Sequence, residues 1–275
     1  LPPGGRVDAV EPSPHKPGKA YIAVLRYQLG DWKPYIYKTT NYGNSWTMRT
    51  KGIPKDAFVR VVREDPNKKG LLYAGTETGL YLSDDWGKSW QQFQLNLPVT
   101  PITDLTIRNN DLVASTQGRA FWILDDLTPL HQYASNIEKA SVYLFEPRTA
   151  YRTTSGSGKS TTMGQNPPNG AIILYHLSES FEKDTQLKLE VLNKDGDVIR
   201  AITNKSGTSA KVFDGSYRPQ TIPAKKGVNR FIWNFRIDDL TTVPDVSFYG
   251  GYSGYQIGPG DYTIQLTLGD RTVSQ

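Results

Sequence analysis

The feature that constrains this chain most is an internal repeat of 44 residues in its first half. Residues 38–46 recur as residues 82–90, so that Trp46 of the first copy returns as Trp90 of the second. A period of roughly 40–50 residues is typical of β-propellers, in which each repeat forms one four-stranded blade. A third, weaker copy occupies residues 102–126. The repeat therefore predicts an all-β first half that contains about three propeller blades.

Each full copy carries a turn whose residue types fit one backbone geometry. Asn41 in the first copy and Asp85 in the second can fold a side-chain oxygen back onto backbone N–H groups. The glycine two positions later supplies a residue with positive φ, and the tryptophan begins the next strand, where its indole is buried between blades. The structural residues of the two turns are therefore Thr39, Asn41, Gly43, Trp46, Ser83, Asp85, Gly87 and Trp90.

The pattern Ser/Thr-x-Asp-x-Gly-x-Ser/Thr-Trp of these turns resembles the Asp box of bacterial-neuraminidase-type (BNR) repeats. The second copy matches the pattern fully, whereas the first has Asn41 in place of aspartate. Residues 7–24, 33–40 and 117–130 are also similar to exported bacterial proteins described as sortilin-like or as BNR/Asp-box glycosyl hydrolases. The resemblance implies a longer parent protein with one or two propellers followed by a β-sandwich. It also implies a location outside the bacterial cytoplasm, in the periplasm, at the outer membrane or secreted.

The second half of the chain loses the repeat and changes to short segments of alternating apolar and polar residues. Residues 151–169 are rich in Ser, Gly, Thr and Pro, which predicts a linker. The alternating segments beyond it favour a β-sandwich of immunoglobulin or fibronectin type. We therefore expect propeller blades in residues 1–150 and a sandwich in residues 170–275, with the last hairpin cut short at Gln275.

The composition excludes several classes of function. The net charge of +5 comes from scattered Lys and Arg, whereas nucleic-acid-binding proteins cluster these residues on one face. No apolar run approaches the roughly 18 residues of a membrane span. The chain has no cysteine, and His15, His131 and His176 are isolated from one another in sequence. We therefore expect no metal site and no cofactor.

A loop at residues 26–33 is the first candidate for a binding surface. It interrupts the first repeat where the second repeat has only the short turn at residues 76–79. Arg26, Tyr27 and Trp32 in this loop can reach a ligand at the propeller face, with Trp32 as a stacking platform or an interface anchor. Packing of Trp32 on a neighbouring loop is an equally good interpretation of the same pattern.

Two further places carry candidate ligand-binding residues. Arg119 lies at the turn of the third copy that corresponds to the loop at residues 26–33, so we expect it near the same face. Tyr249 and Tyr252 lie in a segment rich in tyrosine and glycine, a composition that adaptable binding loops share. The same composition also fits a mobile sandwich loop without a ligand.

Two classes of function follow from these features. The favoured class is a non-catalytic glycan- or protein-binding or scaffold module, because the acidic pairs of the sequence fall in turns and no acid–base pair is evident. The alternative is a portion of a glycoside hydrolase, sialidase- or xyloglucanase-like, whose catalytic carboxylates lie mostly outside this chain. Because three blades do not close a propeller, we expect another chain or fragment to supply the missing blades.

Overall fold

The computed structural model describes residues 1–134, 137–152, 164, 166–181, 185–205, 210–212, 215–217, 220–241 and 252–275. The described residues form twenty β-strands, a five-residue α-helix and one short 3-10 helix, so the prediction of an all-β fold is confirmed. The chain divides into two compact units, Leu1–Leu127 and Thr128–Gln275. No helix in the described part of the chain is long and apolar enough to cross a membrane.

The first unit consists of eleven strands and the 3-10 helix Tyr27–Leu29. The strands are β1 (Arg6–Pro12), β2 (Ala20–Leu25), β3 (Ile36–Thr39), β4 (Thr47–Met48), β5 (Val59–Glu64), β6 (Leu72–Thr76), β7 (Leu80–Ser83), β8 (Gln91–Gln92), β9 (Ile102–Arg108), β10 (Asp111–Thr116) and β11 (Phe121–Leu124). They form three antiparallel sheets in chain order: sheet 1 from β1 to β4, sheet 2 from β5 to β8, and sheet 3 from β9 to β11.

The three sheets of the first unit are stacked, with sheet 2 in contact with sheets 1 and 3. The central strand β6 is buried along its whole length, and β2 is buried at five of its six residues. Their near-continuous apolar sequences fit this position, because a strand covered on both faces needs no polar side. Each fully buried Val, Leu or Ile side chain contributes about 1.5–3 kcal/mol to this packing.

The repeated turns connect β3 to β4 and β7 to β8 with the same hydrogen bonds. Gly43 N donates to Thr39 Oγ1 at 3.0 Å, and Ser45 N donates to Asn41 Oδ1 at 3.0 Å. In the second copy, the corresponding bonds run from Gly87 N to Ser83 Oγ at 2.9 Å and from Ser89 N to Asp85 Oδ1 at 2.9 Å. Both glycines have positive φ, as the turn chemistry of the sequence predicts.

The tryptophan that follows each turn has a different environment in the two copies. Trp90 is buried, and its Nε1 donates to Arg49 O at 2.9 Å in the connection between sheets 1 and 2. Trp46 is only partly buried. The expectation of an indole between sheets is therefore met at Trp90 and not at Trp46.

The second unit contains α1 (Thr128–Gln132) and nine strands. The strands are β12 (Val142–Leu144), β13 (Ala171–Leu177), β14 (Leu187–Leu192), β15 (Val198–Thr203), β16 (Ala210–Val212), β17 (Gly215–Tyr217), β18 (Gly227–Trp233), β19 (Thr263–Leu268) and β20 (Arg271–Ser274). One sheet has the order β12-β13-β18, a second has the order β15-β14-β19-β20, and β16 and β17 form a hairpin. Alternate residues of both larger sheets, including Tyr175, Leu189 and Leu266, share one hydrophobic core.

The boundary between the units lies earlier than the sequence predicts. The sequence predicts propeller blades in residues 1–150, but β12 pairs with β13, and Val142 and Leu144 enter the core of the second unit. The first unit therefore ends at Leu127 rather than near residue 150. Residues 153–163 and 165 of the expected linker lie outside the described residues.

Candidate functional site

The topology of the first unit places several connections at one edge of the stacked sheets, here called the loop edge. In an antiparallel meander, the connections between the second and third strands leave from one edge, and the repeated turns leave from the opposite edge. The β2–β3, β6–β7 and β10–β11 connections therefore share the loop edge with the segments that join successive sheets. The predicted binding loop at residues 26–33 is the β2–β3 connection.

An aromatic cluster forms at this edge from the loop of sheet 1 and the start of sheet 2. The rings of Tyr27 and Phe58 are stacked, with centroids 4.7 Å apart and planes at 13°. Trp32 lies against both rings, with its centroid 5.5 Å from that of Phe58 and 6.3 Å from that of Tyr27. Phe58 is buried, whereas Trp32 is 50% exposed. Trp32 therefore packs on a neighbouring segment and also presents an aromatic surface to solvent, which combines the two interpretations of the sequence.

Asp31 stabilises the loop at residues 26–33 through two side-chain hydrogen bonds. Its carboxylate accepts hydrogen bonds from Arg26 Nη1 at 2.8 Å and from Tyr35 Oη at 2.7 Å. The hydrogen bond from Tyr35 is the main cause that lowers the pKa of Asp31, and the nearby charges of Lys33 and Arg26 act in the same direction. The side chain of Arg26 therefore stabilises the conformation of the loop in this structure.

Arg60 of β5 adds a cation to the cluster. Its guanidinium carbon lies 5.0 Å from the ring centroid of Phe58 and 5.8 Å from that of Tyr27. Glu77, in the β6–β7 connection, accepts from Arg60 Nη2 at 2.7 Å and from Arg60 Nε at 3.0 Å. The forked ion pair fixes the guanidinium plane, so the cluster is held by contacts from two sheets.

The other candidate residues have different environments. Arg119 is exposed in the β10–β11 connection, and its carbonyl accepts from Trp122 Nε1 at 2.9 Å. Within the described residues, no hydrogen bond, ion pair or ring contact joins Arg119 to the aromatic cluster. Tyr252 is only 1% exposed, so in this structure it is a buried side chain of the second unit and offers no surface to a ligand. Tyr249 lies outside the described residues.

Phe58, Arg60 and Glu77 also belong to the site, although no sequence motif indicates them. Phe58 is 31 residues beyond Tyr27, and Glu77 is 17 residues beyond Arg60. What they share is their position, because each lies at or beside a connection that the sheet topology brings to the loop edge. These three residues could be found from the sequence only if the strands of two adjacent repeats were packed against each other.

A row of charged residues links the first strands of the three sheets. Arg63 of β5 donates to Asp104 of β9 at 2.7 Å and lies 3.5 Å from the Glu11 carboxylate of β1. Burial raises the pKa of Glu11, although Glu64 N donates to it and Arg63 attracts its charged form. By contrast, hydrogen bonds lower the pKa values of Asp31 and Asp85.

The raised pKa of Glu11 gives a pH-dependent prediction for Glu11→Gln. Between the pKa of Glu11 in the unfolded chain and its higher value in the fold, the folded state binds more protons, so stability falls as the pH rises through that window. Glutamine does not ionise, so the variant does not lose stability as the pH rises through this window. We expect Glu11→Gln to unfold at a higher temperature than wild type at pH 7 and at the same temperature as wild type near pH 4. Thermal unfolding followed by circular dichroism at both pH values checks this, and a lower unfolding temperature of the variant at pH 7 would contradict it.

The described residues contain no group of three or more His, Asp or Glu side chains arranged to hold a metal ion. The groups described at the loop edge are aromatic rings, a guanidinium group and ion pairs. Both carboxylates near the cluster, Asp31 and Glu77, are paired with arginines. This arrangement suits recognition of a surface more than proton transfer, because both carboxylates are already engaged in ion pairs.

Comparisons with known proteins yield similarities to solved structures alone: no family model and no curated protein matches the chain. An ancestral GH74 enzyme is 24% identical over 42% of this chain and 14% of that chain, with a TM-score of 0.34. YCF48 bound to D1 peptide is 14% identical over 75% of this chain and 58% of that chain, with a TM-score of 0.31. YCF48 from Cyanidioschyzon merolae is 13% identical over 82% of this chain and 59% of that chain, with a TM-score of 0.34. The chain thus spans less than two thirds of each of these proteins, and similarity at this level establishes no activity, ligand or partner.

Proposed function

We propose that this chain is a non-catalytic binding module whose aromatic cluster at the loop edge contacts a glycan or a protein segment. The observation that carries the proposal is the half-exposed Trp32, which lies on the buried Phe58 and on Tyr27. A large aromatic surface that is already held in place loses little conformational entropy on binding. The exported, BNR-like character of the module is also a proposal, and it rests on the sequence resemblance.

The contacts around the cluster explain why it is suited to binding. Asp31 ties the loop to Arg26 and Tyr35, and Glu77 fixes Arg60 beside the rings. An aromatic ring can stack on a sugar or on a peptide side chain. A fixed guanidinium group beside the ring can donate hydrogen bonds to the polar groups of the same ligand. Central tryptophan and arginine residues of this kind carry much of the free energy of binding at interfaces.

Trp32→Ala tests whether the exposed indole ring of the aromatic cluster contributes to binding. We expect the affinity for the bound glycan or peptide to fall roughly tenfold or more, because the substitution removes the exposed ring at the centre of the cluster. The measurement is calorimetric titration of the 275-residue chain with xyloglucan oligosaccharides, sialyllactose and a peptide library, followed by titration of the variant with each positive ligand.

Tyr42→Ala is the matched control for this experiment. Tyr42 is 81% exposed in the repeated turn of the same sheet, at the edge opposite Trp32, so its loss removes an exposed ring without touching the cluster. We expect Tyr42→Ala to bind as wild type does. Equal affinity of Trp32→Ala and wild type for every ligand that binds would overturn the proposal.

The third sheet carries the second part of the proposal, a partner that supplies further blades. Sheets 1 and 2 each have a two-residue fourth strand, β4 or β8, whereas β11 has no described strand on its outer edge. Phe121 and Ile123 of β11 alternate on one face and are 75% and 59% exposed. An open edge with an apolar face is a template for pairing with another chain. The occupant we propose is a propeller blade of another chain or fragment that continues the stack of sheets.

The double substitution Phe121→Asp and Ile123→Asp tests the partner. A tagged wild-type chain isolated from its native cells is expected to have a mass above its own 30.7 kDa, and the double variant is expected to have 30.7 kDa, because two carboxylates prevent apolar packing on β11. Mass photometry with mass-spectrometric identification gives the answer. Val99→Asp, at a 75% exposed position in the β8–β9 connection, should leave assembly intact. A wild-type mass of 30.7 kDa would contradict the partner.

A glycoside hydrolase is the second candidate function, and Glu11 is the observation that favours it. A glycosidase needs one carboxyl group with a raised pKa as the acid and a second carboxylate across the bond that is cleaved. Glu11 has the first property, and the second group would come from outside this chain. Turnover of xyloglucan or a sialoside by the complete assembly that is lost in Glu11→Gln would favour this function over the binding module.

A further inference from the structure

The second unit contains an open cavity of about 810 Å³ that is unrelated to the aromatic cluster of the first unit. Its walls are formed by residues 146–152 and 257–262, and its floor by residues of β13, β18 and β19. Small-molecule sites in proteins commonly have volumes of roughly 300–1,000 Å³. The cavity is therefore large enough for a ligand of one or two rings.

The floor of the cavity is apolar and aromatic. Ile173 and Ile264 are buried beneath it. Trp233 makes edge-to-face contacts with Phe235, at a centroid distance of 5.8 Å, and with Tyr262, at 5.6 Å. The indole Nε1 of Trp233 already donates to Arg236 O at 2.8 Å. The polar group of the indole is thus occupied inside the protein, and the floor offers ring surface to a ligand.

Backbone strain lies at the same place. Phe235 has a φ of 60°, in the left-handed region that bulky residues rarely adopt. Its carbonyl accepts a hydrogen bond from Ile257 N at 2.8 Å, which ties the strained residue to the wall formed by residues 257–262. Strain that the surrounding structure maintains is concentrated at functional sites. Phe235 itself lines the cavity.

The rim of the cavity carries charged side chains of both signs. Glu146, Arg152 and Asp261 are exposed, and Arg148 is partly buried. Two guanidinium groups supply hydrogen-bond donors, and two carboxylates supply acceptors. A ligand with a net charge would gain from one pair and be repelled by the other. A sugar hydroxyl both donates and accepts, so a neutral polyhydroxylated ligand can use both kinds of group.

We propose that this cavity binds a neutral saccharide of one or two rings. Its C–H face would lie on the aromatic floor, as apolar faces of ligands lie on aromatic rings elsewhere, and its hydroxyl groups would bond to the four charged side chains of the rim. The proposal uses no residue of the first unit and is independent of the proposed function. If the chain has two saccharide sites, they involve different residues, so that each can be tested by its own substitutions.

Titration of the 275-residue chain with cellobiose, maltose and diacetylchitobiose tests this site, with glucuronate and glucosamine as the charged comparators. We expect at least one neutral sugar to bind with a Kd of about 1 mM and the charged sugars to bind roughly tenfold more weakly. Calorimetry measures the affinity, and amide chemical shifts show which residues of the second unit respond. All titrations are repeated in Trp32→Ala, so that binding at the loop edge does not contribute.

Tyr262→Ala should weaken binding roughly tenfold or more because it removes a ring of the cavity wall. Tyr262→Phe is its matched control: the hydroxyl group donates to Gly258 O at 2.9 Å, so phenylalanine keeps the ring and should keep the affinity. If Tyr262→Ala does not fold, Asp261→Asn and Arg152→Gln change the exposed rim instead, and each should weaken binding. Binding of no neutral sugar at about 50 mM, equal binding of the charged sugars, or equal affinity of all variants would overturn the proposal.

Discussion

Replacing Glu64 with alanine is expected to lower the stability of the first unit by about 3–5 kcal/mol. Glu64 Oε1 accepts from Lys19 Nζ at 2.5 Å and from Gly70 N at 3.4 Å, and the two side chains of the ion pair are only 3% and 0% exposed. The ammonium group also lies 4.1 Å from the ring centroid of Trp86. Removal of the carboxylate leaves Lys19 charged and buried beside aromatic rings, and the attraction of those rings is too small to replace a paired charge.

The double variant Lys19→Met, Glu64→Gln is the control for this prediction. Replacing a buried ion pair by neutral groups of similar volume is often close to neutral, so most of the lost stability should return. Urea unfolding combined with hydrogen exchange of the amides in β2, β5 and β6 measures the loss in the unit concerned. A loss below about 0.5 kcal/mol in Glu64→Ala would show that water, rather than the carboxylate, compensates Lys19.

Gly52→Ala should be comparably damaging, by about 3 kcal/mol or more, because it combines a backbone and a steric penalty. Gly52 has a φ of 101°, and an added Cβ would lie 2.0 Å from Trp90 O, which is a backbone atom and cannot swing away. Trp90 N also donates to Lys51 O at 2.8 Å. The substitution therefore separates the repeated turn of sheet 2 from the segment that joins sheets 1 and 2.

Gly30→Ala separates the two penalties. Gly30 has a φ of 73° with no atom within 4 Å of an added Cβ, so it tests the positive φ without the clash. We expect Gly30→Ala to cost about 1 kcal/mol. Equilibrium unfolding of both variants gives the comparison. Equal losses would mean that the backbone conformation alone sets the cost at Gly52, and that the contact with Trp90 O relaxes.

The sequence was most informative where structure depends on a few consecutive residues. The hydrogen bonds of the repeated turns join residues four apart, such as Asn41 to Ser45 and Asp85 to Ser89, so the residue types alone predict them. The loop that carries Trp32 was also predicted, because an insertion relative to a repeat is visible without a structure. Tyr252 was predicted as a ligand-binding residue, whereas the structure buries it. Tyrosine has both an apolar ring and a polar group, so the sequence pattern around it does not distinguish a core position from a surface position.

The sequence by itself determined the all-β character of the chain, the two turns and the exposed loop, because turn chemistry and strand alternation act over short distances. The tertiary structure alone decided which segments share a core and a site. It assigned β12 to the second unit, placed Phe58 under Tyr27, and joined Glu11, Arg63 and Asp104 across three sheets. These contacts connect residues tens of positions apart, and their free energy comes from burial and charge pairing that exist only once the sheets are packed.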